Sequence, residues 1–162
     1  MEEFLTQEEQ ATLAPVLVGL SGLFTDNTHR MADYDKNRYM PAVRDLVQTY
    51  APIVKVYDDF CKEHPEKTEA AADACAIAFM KQVKEFVEGR LRGKKWRDRI
   101  TMEQYRMVMA AFVVPSLKEM KAENGQLLID RICRGWKQAY PEFPFQQTTA
   151  DVLENGFKLK FF

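Results

Sequence analysis

Apolar residues return at three- and four-residue intervals along almost the whole chain, and no alternating strand pattern breaks the series. That interval matches one face of an α-helix rather than the two-residue period of a strand. The chain is therefore constrained to bury helix against helix. Its start and stop signals divide it. Thr6-Gln7-Glu8-Glu9 has the capping-box pattern, in which the Thr6 hydroxyl accepts from the Glu9 amide and the Glu9 carboxylate accepts from the Thr6 amide. Behind it Leu13, Val16, Leu17 and Leu20 share a face. Pro15 either kinks that helix or restarts it, and Gly19 and Gly22 weaken its end.

Residues 25–38 are polar and predict a loop. The next helix is expected from near Pro41, a good first-turn position, with Val43, Leu46, Val47, Tyr50, Val54, Tyr57 and Phe60 as its apolar stripe. Pro52 interrupts the hydrogen-bond ladder but not the stripe, which predicts a kink, and Pro65 closes the segment. Thr68 is expected to cap a third helix whose inner face is Ala71, Cys75, Phe79, Val83, Phe86 and Val87. Ala72, Ala76 and Ala78 allow a neighbour to approach it closely, and Gly89 and Gly93 are expected to end it.

Thr101-Met102-Glu103-Gln104 predicts a second capping box. The segment it opens, through Tyr105, Val108, Met109, Phe112 and Val113 to Leu117 and Met120, is the most apolar of the chain and is expected at the centre. Pro115 should kink it and free the carbonyl of Ala111. Asn124-Gly125 marks a turn. Leu128, Ile132, Trp136 and Tyr140 form an i,i+4 row that stops at Pro141, and the aromatic segment 141–145 is expected to fold back on the bundle. A short helix from Thr148 or Thr149 to Asn155-Gly156 completes the expectation. The fold class is all-α: one domain over residues 1–162, an irregular bundle of five or six helices with proline kinks.

A chain of 162 residues buries roughly 70% of its unfolded surface, so no disulfide or metal is required for folding. The net charge of −1 argues against a generally basic nucleic-acid binder. It is unevenly spread: residues 1–80 sum to −7 and residues 81–162 to +6. Such asymmetry can steer a partner, or draw the two halves of one fold together, and the second is favoured. Cys61, Cys75 and Cys133 are odd in number and match no disulfide framework, while Cys75 and Cys133 stand at apolar helical positions. The N-terminus lacks the positive region and apolar run of a signal peptide. The longest apolar run, Met107 to Pro115, is too short to span a bilayer. A cytoplasmic protein with reduced thiols is expected, without membrane attachment.

The densest chemical signal is the stretch 90–99, where Arg90, Arg92, Lys94, Lys95, Arg97 and Arg99 surround Trp96. Such a segment can hold phosphates while the indole stacks on a base. Its plainer role is a solvated connector whose cations sit at the negative end of a helix, with Trp96 plugging the bundle. Asp33-Tyr34-Asp35 imitates the start of a calcium loop, but Arg38 and Arg44 stand where glycine and a bidentate glutamate are needed. Cys61 and His64 have a metal-ligand spacing without a second pair, so no metal is expected. The histidines, His29 and His64, lie outside any apolar helical face. No residue set reads as catalytic, and no cofactor is called for.

In the C-terminal third, Val114-Pro115-Ser116-Leu117, Trp136-Lys137-Gln138-Ala139-Tyr140-Pro141, Phe143-Pro144-Phe145 and Asn155-Gly156-Phe157-Lys158 occur in order. This series, over residues 105–160, resembles the helical region of uncharacterised bacterial proteins that end in a cysteine-containing "CFI box". The sequence reaches Lys160-Phe161-Phe162 where that box would begin, so a shortened chain or a variant without the box is expected. The resemblance implies a cytosolic bacterial helical domain that accompanies a separate C-terminal module, and it implies no catalytic residue.

Together these features predict a non-enzymatic interaction or scaffold domain with a protein partner, met at the connector 90–99 and the aromatic segment 141–145. Two alternatives stand beside it. One is binding of nucleic acid or an anionic ligand through the basic connector. The other is binding of a small molecule in the bundle core near Tyr105, Phe112 and Trp136.

Overall fold

The computed structural model describes residues 5–26, 36–93 and 99–145. Among them every regular element is helical, as the periodicity requires. Three short helices open the chain: α1 (Gln7–Thr12), α2 (Ala14–Gly19) and α3 (Gly22–Thr25). The capping box forms as expected, with the Glu9 amide donating to Thr6 Oγ1 at 3.1 Å and the Thr6 amide donating to Glu9 Oε1 at 2.8 Å. Pro15 restarts the helix: α1 stops at Thr12 and the proline falls in the first turn of α2, where its missing N–H costs nothing.

The long helix α4 (Lys36–Glu63) begins earlier than near Pro41 and runs unbroken through Pro41 and Pro52. Both prolines lie on its exposed side, where the carbonyl that each leaves without a donor can turn to water. Its stripe buries Val43, Leu46, Tyr50, Val54, Tyr57 and Phe60 as expected. A 3₁₀ turn at Pro65–Lys67 leads into α5 (Thr68–Leu91). Thr68 is the first residue of α5 rather than its cap, because the proline turn already fixes the entry and Lys67 takes the cap position. Gly89 stays inside α5, and the chain turns at Gly93, whose φ of +84° suits glycine.

Helix α6 (Arg99–Val108) starts two residues before Thr101, so that threonine lies in its first turn and is not the cap of a second capping box. A π-helical stretch, Met109–Val113, follows α6, and then α7 (Val114–Glu119). The π pattern is the local answer to Pro115. It pairs carbonyls with N–H groups five residues on and so steps past the donor that proline lacks. Every residue from Val108 to Leu117 is buried, which puts this segment at the centre of the fold. After a turn in which Lys121 takes a positive φ of 54°, α8 (Gly125–Ala139) buries Leu128, Ile132 and Trp136. The expected C-terminal helix after Thr148 lies outside the described residues.

Helix α5 packs on α2, α3, α4 and α8, while α7 packs on α4 and α8. Helices α5 and α8 run in the same sense, since Asp73 meets Arg131 and Met80 meets Gly135. Phe24 of α3 fills the middle, with ring centroids 5.6 Å from Tyr105 and 6.3 Å from Trp136. Polar ties hold the opening helices to the rest. Ser21 Oγ donates to Gln82 Oε1 at 2.6 Å, and Gln82 Nε2 donates to the Leu17 carbonyl at 2.6 Å. Lys67 Nζ reaches Glu9 Oε1 at 2.7 Å.

Two outcomes follow from these ties. A Cβ added at Gly22 would fall on the Tyr50 hydroxyl, which itself donates to Asp26. Gly22→Ala should cost about 1–3 kcal/mol in denaturant unfolding, as overpacking does. The Lys67 ammonium, aided by the Thr6 N–H, holds the Glu9 carboxyl down at about 2. A depressed carboxylate stabilises the fold above its unfolded pKa, near 4.5, and that contribution is lost as pH falls toward 2. In Glu9→Gln the fall of stability across that acid window should be shallower than in the parent chain, as read by thermal melts at stepped pH.

Candidate functional site

The polar chemistry of the bundle interior serves the fold. Burial opposes the charge of Asp58, yet the backbone and side-chain N–H groups of Asn124, with Lys62 and the Glu123 amide, hold its carboxyl below the ordinary range. Asn124 N donates to Asp58 Oδ1 at 2.9 Å, and Tyr57 Oη donates to the Asn124 carbonyl at 2.8 Å. This pair on α4 therefore grips the turn that launches α8. Burial pushes the Tyr57 hydroxyl far above its ordinary pKa, which keeps it a neutral donor.

The cysteines are free and buried. Burial pushes the thiols of Cys75 and Cys133 up to about 12 and raises that of Cys61 as well, so none supplies a thiolate at neutral pH. Cys61 faces the core, whereas His64 lies on the Phe60 ring with centroids 4.7 Å apart. Among the described residues no three His, Cys, Asp or Glu side chains gather to hold a metal. The aspartates of the calcium-like motif and His29 lie outside the described residues.

Of the basic connector, Arg90 and Arg92 stand exposed at the end of α5, and the Arg90 guanidinium lies 5.0 Å from the centroid of the Phe86 ring. Lys94, Lys95, Trp96 and Arg97 lie outside the described residues, and Arg99 opens α6. The aromatic segment 141–145 does fold back. Trp136 Nε1 donates to the Phe143 carbonyl at 2.7 Å, Phe143 is buried, and Phe145 packs edge-on to Trp136. These rings are spent inside the molecule, which leaves Pro141, Glu142 and Pro144 exposed. In the core, the Phe24 ring packs against both Tyr105 and Trp136.

The surface feature that the periodicity did not reveal lies between α5 and α8. An open groove of about 710 Å³ runs there, with Ala76, Met80, Gly135 and Ala139 along its floor. Gly135 makes it possible: a Cβ there would stand 2.8 Å from Met80 Cγ, so the glycine lets α5 approach and keeps the floor low. Arg131 closes one end, its Nε 2.7 Å from Asp73 Oδ1 and its Nη2 3.3 Å from Glu69 Oε1. Ile77 stands on the groove wall, 69% exposed. The signal for it was present in the sequence: a large β-branched side chain off the Ala71-Cys75-Phe79-Val83 face, on the otherwise polar side of the same helix.

The fold so defined is an all-α bundle with an open groove between α5 and α8. No protein-family description matches this chain, and neither a curated protein nor a solved structure matches it. No helix among the described residues is long and apolar enough to cross a membrane.

The burial of the thiols has a direct readout. At pH 8 an aromatic disulfide reagent should leave Cys61, Cys75 and Cys133 unmodified in the native protein and modify all three in denaturant. Rapid native labelling would show that the α4–α5 or α5–α8 contact opens.

Proposed function

We propose that this chain is a non-enzymatic protein-interaction domain of the cytoplasm, and that the α5–α8 groove is its docking face. The observation that carries the proposal is Ile77, a large apolar side chain held in water on the wall of a groove with an apolar floor. Covering such a side chain contributes about 1.5–3 kcal/mol, which is the scale of a single interface anchor. The rim supports the same reading. Lys81, Lys84 and Arg134 stand beside Glu85 and Glu88, so both signs flank the apolar strip, as they do around a site for an amphipathic helix. The resemblance of residues 105–160 to the helical region of CFI-box proteins implies a domain that accompanies a separate module, which is compatible with this reading.

The test is a photo-crosslinking residue at position 77, with position 55 on the exposed side of α4 as its control, in cells of the chain's own source. A discrete adduct from position 77 and none from position 55 is the expected result. Equal, diffuse adducts from both positions would sink the proposal.

A further inference from the structure

The geometry points to a second copy of this chain as the occupant of the α5–α8 groove, an inference that rests on the groove being a docking face. Two copies related by a twofold axis present one surface to itself, so that surface must complement its own image. The outward stripe of α5 does. Asp73 lies one helical turn before Ile77, and Lys81 lies one turn after it. When a second α5 is laid antiparallel over the groove, Ile77 of each copy drops onto the Met80 and Gly135 floor of the other. Asp73 of each copy then faces Lys81 and Lys84 of its mate.

Charge selects this arrangement over the alternatives. At one end Asp73 and Arg131 line the groove, and Glu69 stands just beyond them against Arg131, so the three sum to one negative charge. Around Lys81 the groove holds Lys81, Lys84, Glu85, Glu88 and Arg134, a net of one positive charge. Antiparallel docking brings the negative end of each copy to the positive end of the other, twice. Parallel docking would bring like ends together and is opposed. Crossing helices diverge beyond their central turns, so Glu69 stays apart from Glu85 and Glu88, which share its sign, and keeps its contact with Arg131. The small floor residues let the mate's helix approach, as the same residue types let α5 approach α8.

Sedimentation velocity of the full chain from about 5 to about 500 µM tests this directly. The parent chain should move from its 18.8 kDa monomer toward a dimer as concentration rises. Ile77→Asp should stay monomeric with an unchanged melting curve. Two further variants exploit the symmetry. Asp73→Lys makes both ends of the stripe positive, and Lys81→Asp with Lys84→Asp makes both ends negative. Each alone should lose at least about tenfold in self-association, and their equimolar mixture should associate again as a heterodimer. Recovery on mixing cannot come from misfolding of either chain.

A parent chain that stays monomeric throughout would overturn the inference. So would Ile77→Asp dimerising as well as the parent, or a mixture that fails to recover. Crosslinking separates this failure from that of the docking reading. An adduct from position 77 to a different protein, with the parent chain monomeric, removes the second copy and keeps the groove. No adduct and no dimer removes both.

Discussion

The close approach of α5 and α8 at Met80 and Gly135 is the contact on which the rest of the molecule depends. Helix α5 buries Ala71, Ala72, Cys75, Ala76, Phe79, Met80, Val83, Val87 and Leu91, and it touches the opening helices, α4 and α8. Its alanines keep the inner face thin enough for neighbours to pack from several sides. Since α5 and α8 run in the same sense, they cannot form a simple hairpin. The chain between them must travel back through α6, the π stretch and α7, and that return path becomes the buried centre. One short distance, set by a residue without a Cβ, thus fixes both where the core lies and where the groove opens.

Around that contact, polar groups act as locators. Gln82 uses both ends of its amide, accepting from Ser21 and donating to the Leu17 carbonyl, and so seats α2 and α3 on α5. Asp58 accepts the N–H groups that open the turn before α8. Lys67, in the turn between α4 and α5, holds Glu9 of α1. Each tie joins residues roughly sixty positions apart and is satisfied at both ends, which is how buried or half-buried polar groups specify one arrangement without leaving an unpaired cost.

Local rules carried much of this fold in the sequence. The Thr6 capping box, the α4 stripe, the i,i+4 row of α8 and the stop at Pro141 depend on residues within a turn or two, and each forms as expected. The exceptions have nonlocal or orientational causes. Helix α4 runs through Pro52 without stopping, as its stripe predicts, but it also begins before Pro41, which lies exposed inside the helix instead of opening it. Phe24 stands in a short helix beside a polar stretch, so its place against Tyr105 and Trp136 depends on partners more than eighty positions away. The groove depends on two helices meeting side by side, so neither sequence alone shows it. Ile77 was legible only as an apolar residue out of phase with its helix.

The π stretch at Met109–Val113 makes the length of the central segment a fixed quantity. A π turn holds an extra residue, and each residue of a helix is about 100° of rotation. That rotation carries the buried side from the Met102–Tyr105 face of α6 to the Val114–Leu117 face of α7. Removing one residue between Tyr105 and Leu117 would relieve the irregular turn and swing Leu117 away from α4 and α8. Adding one would do the same in the other direction. Evolution can therefore exchange side chains along this stretch far more freely than it can change their number. Homologous chains should differ there in spelling and agree in spacing, with insertions collecting in the connections outside it.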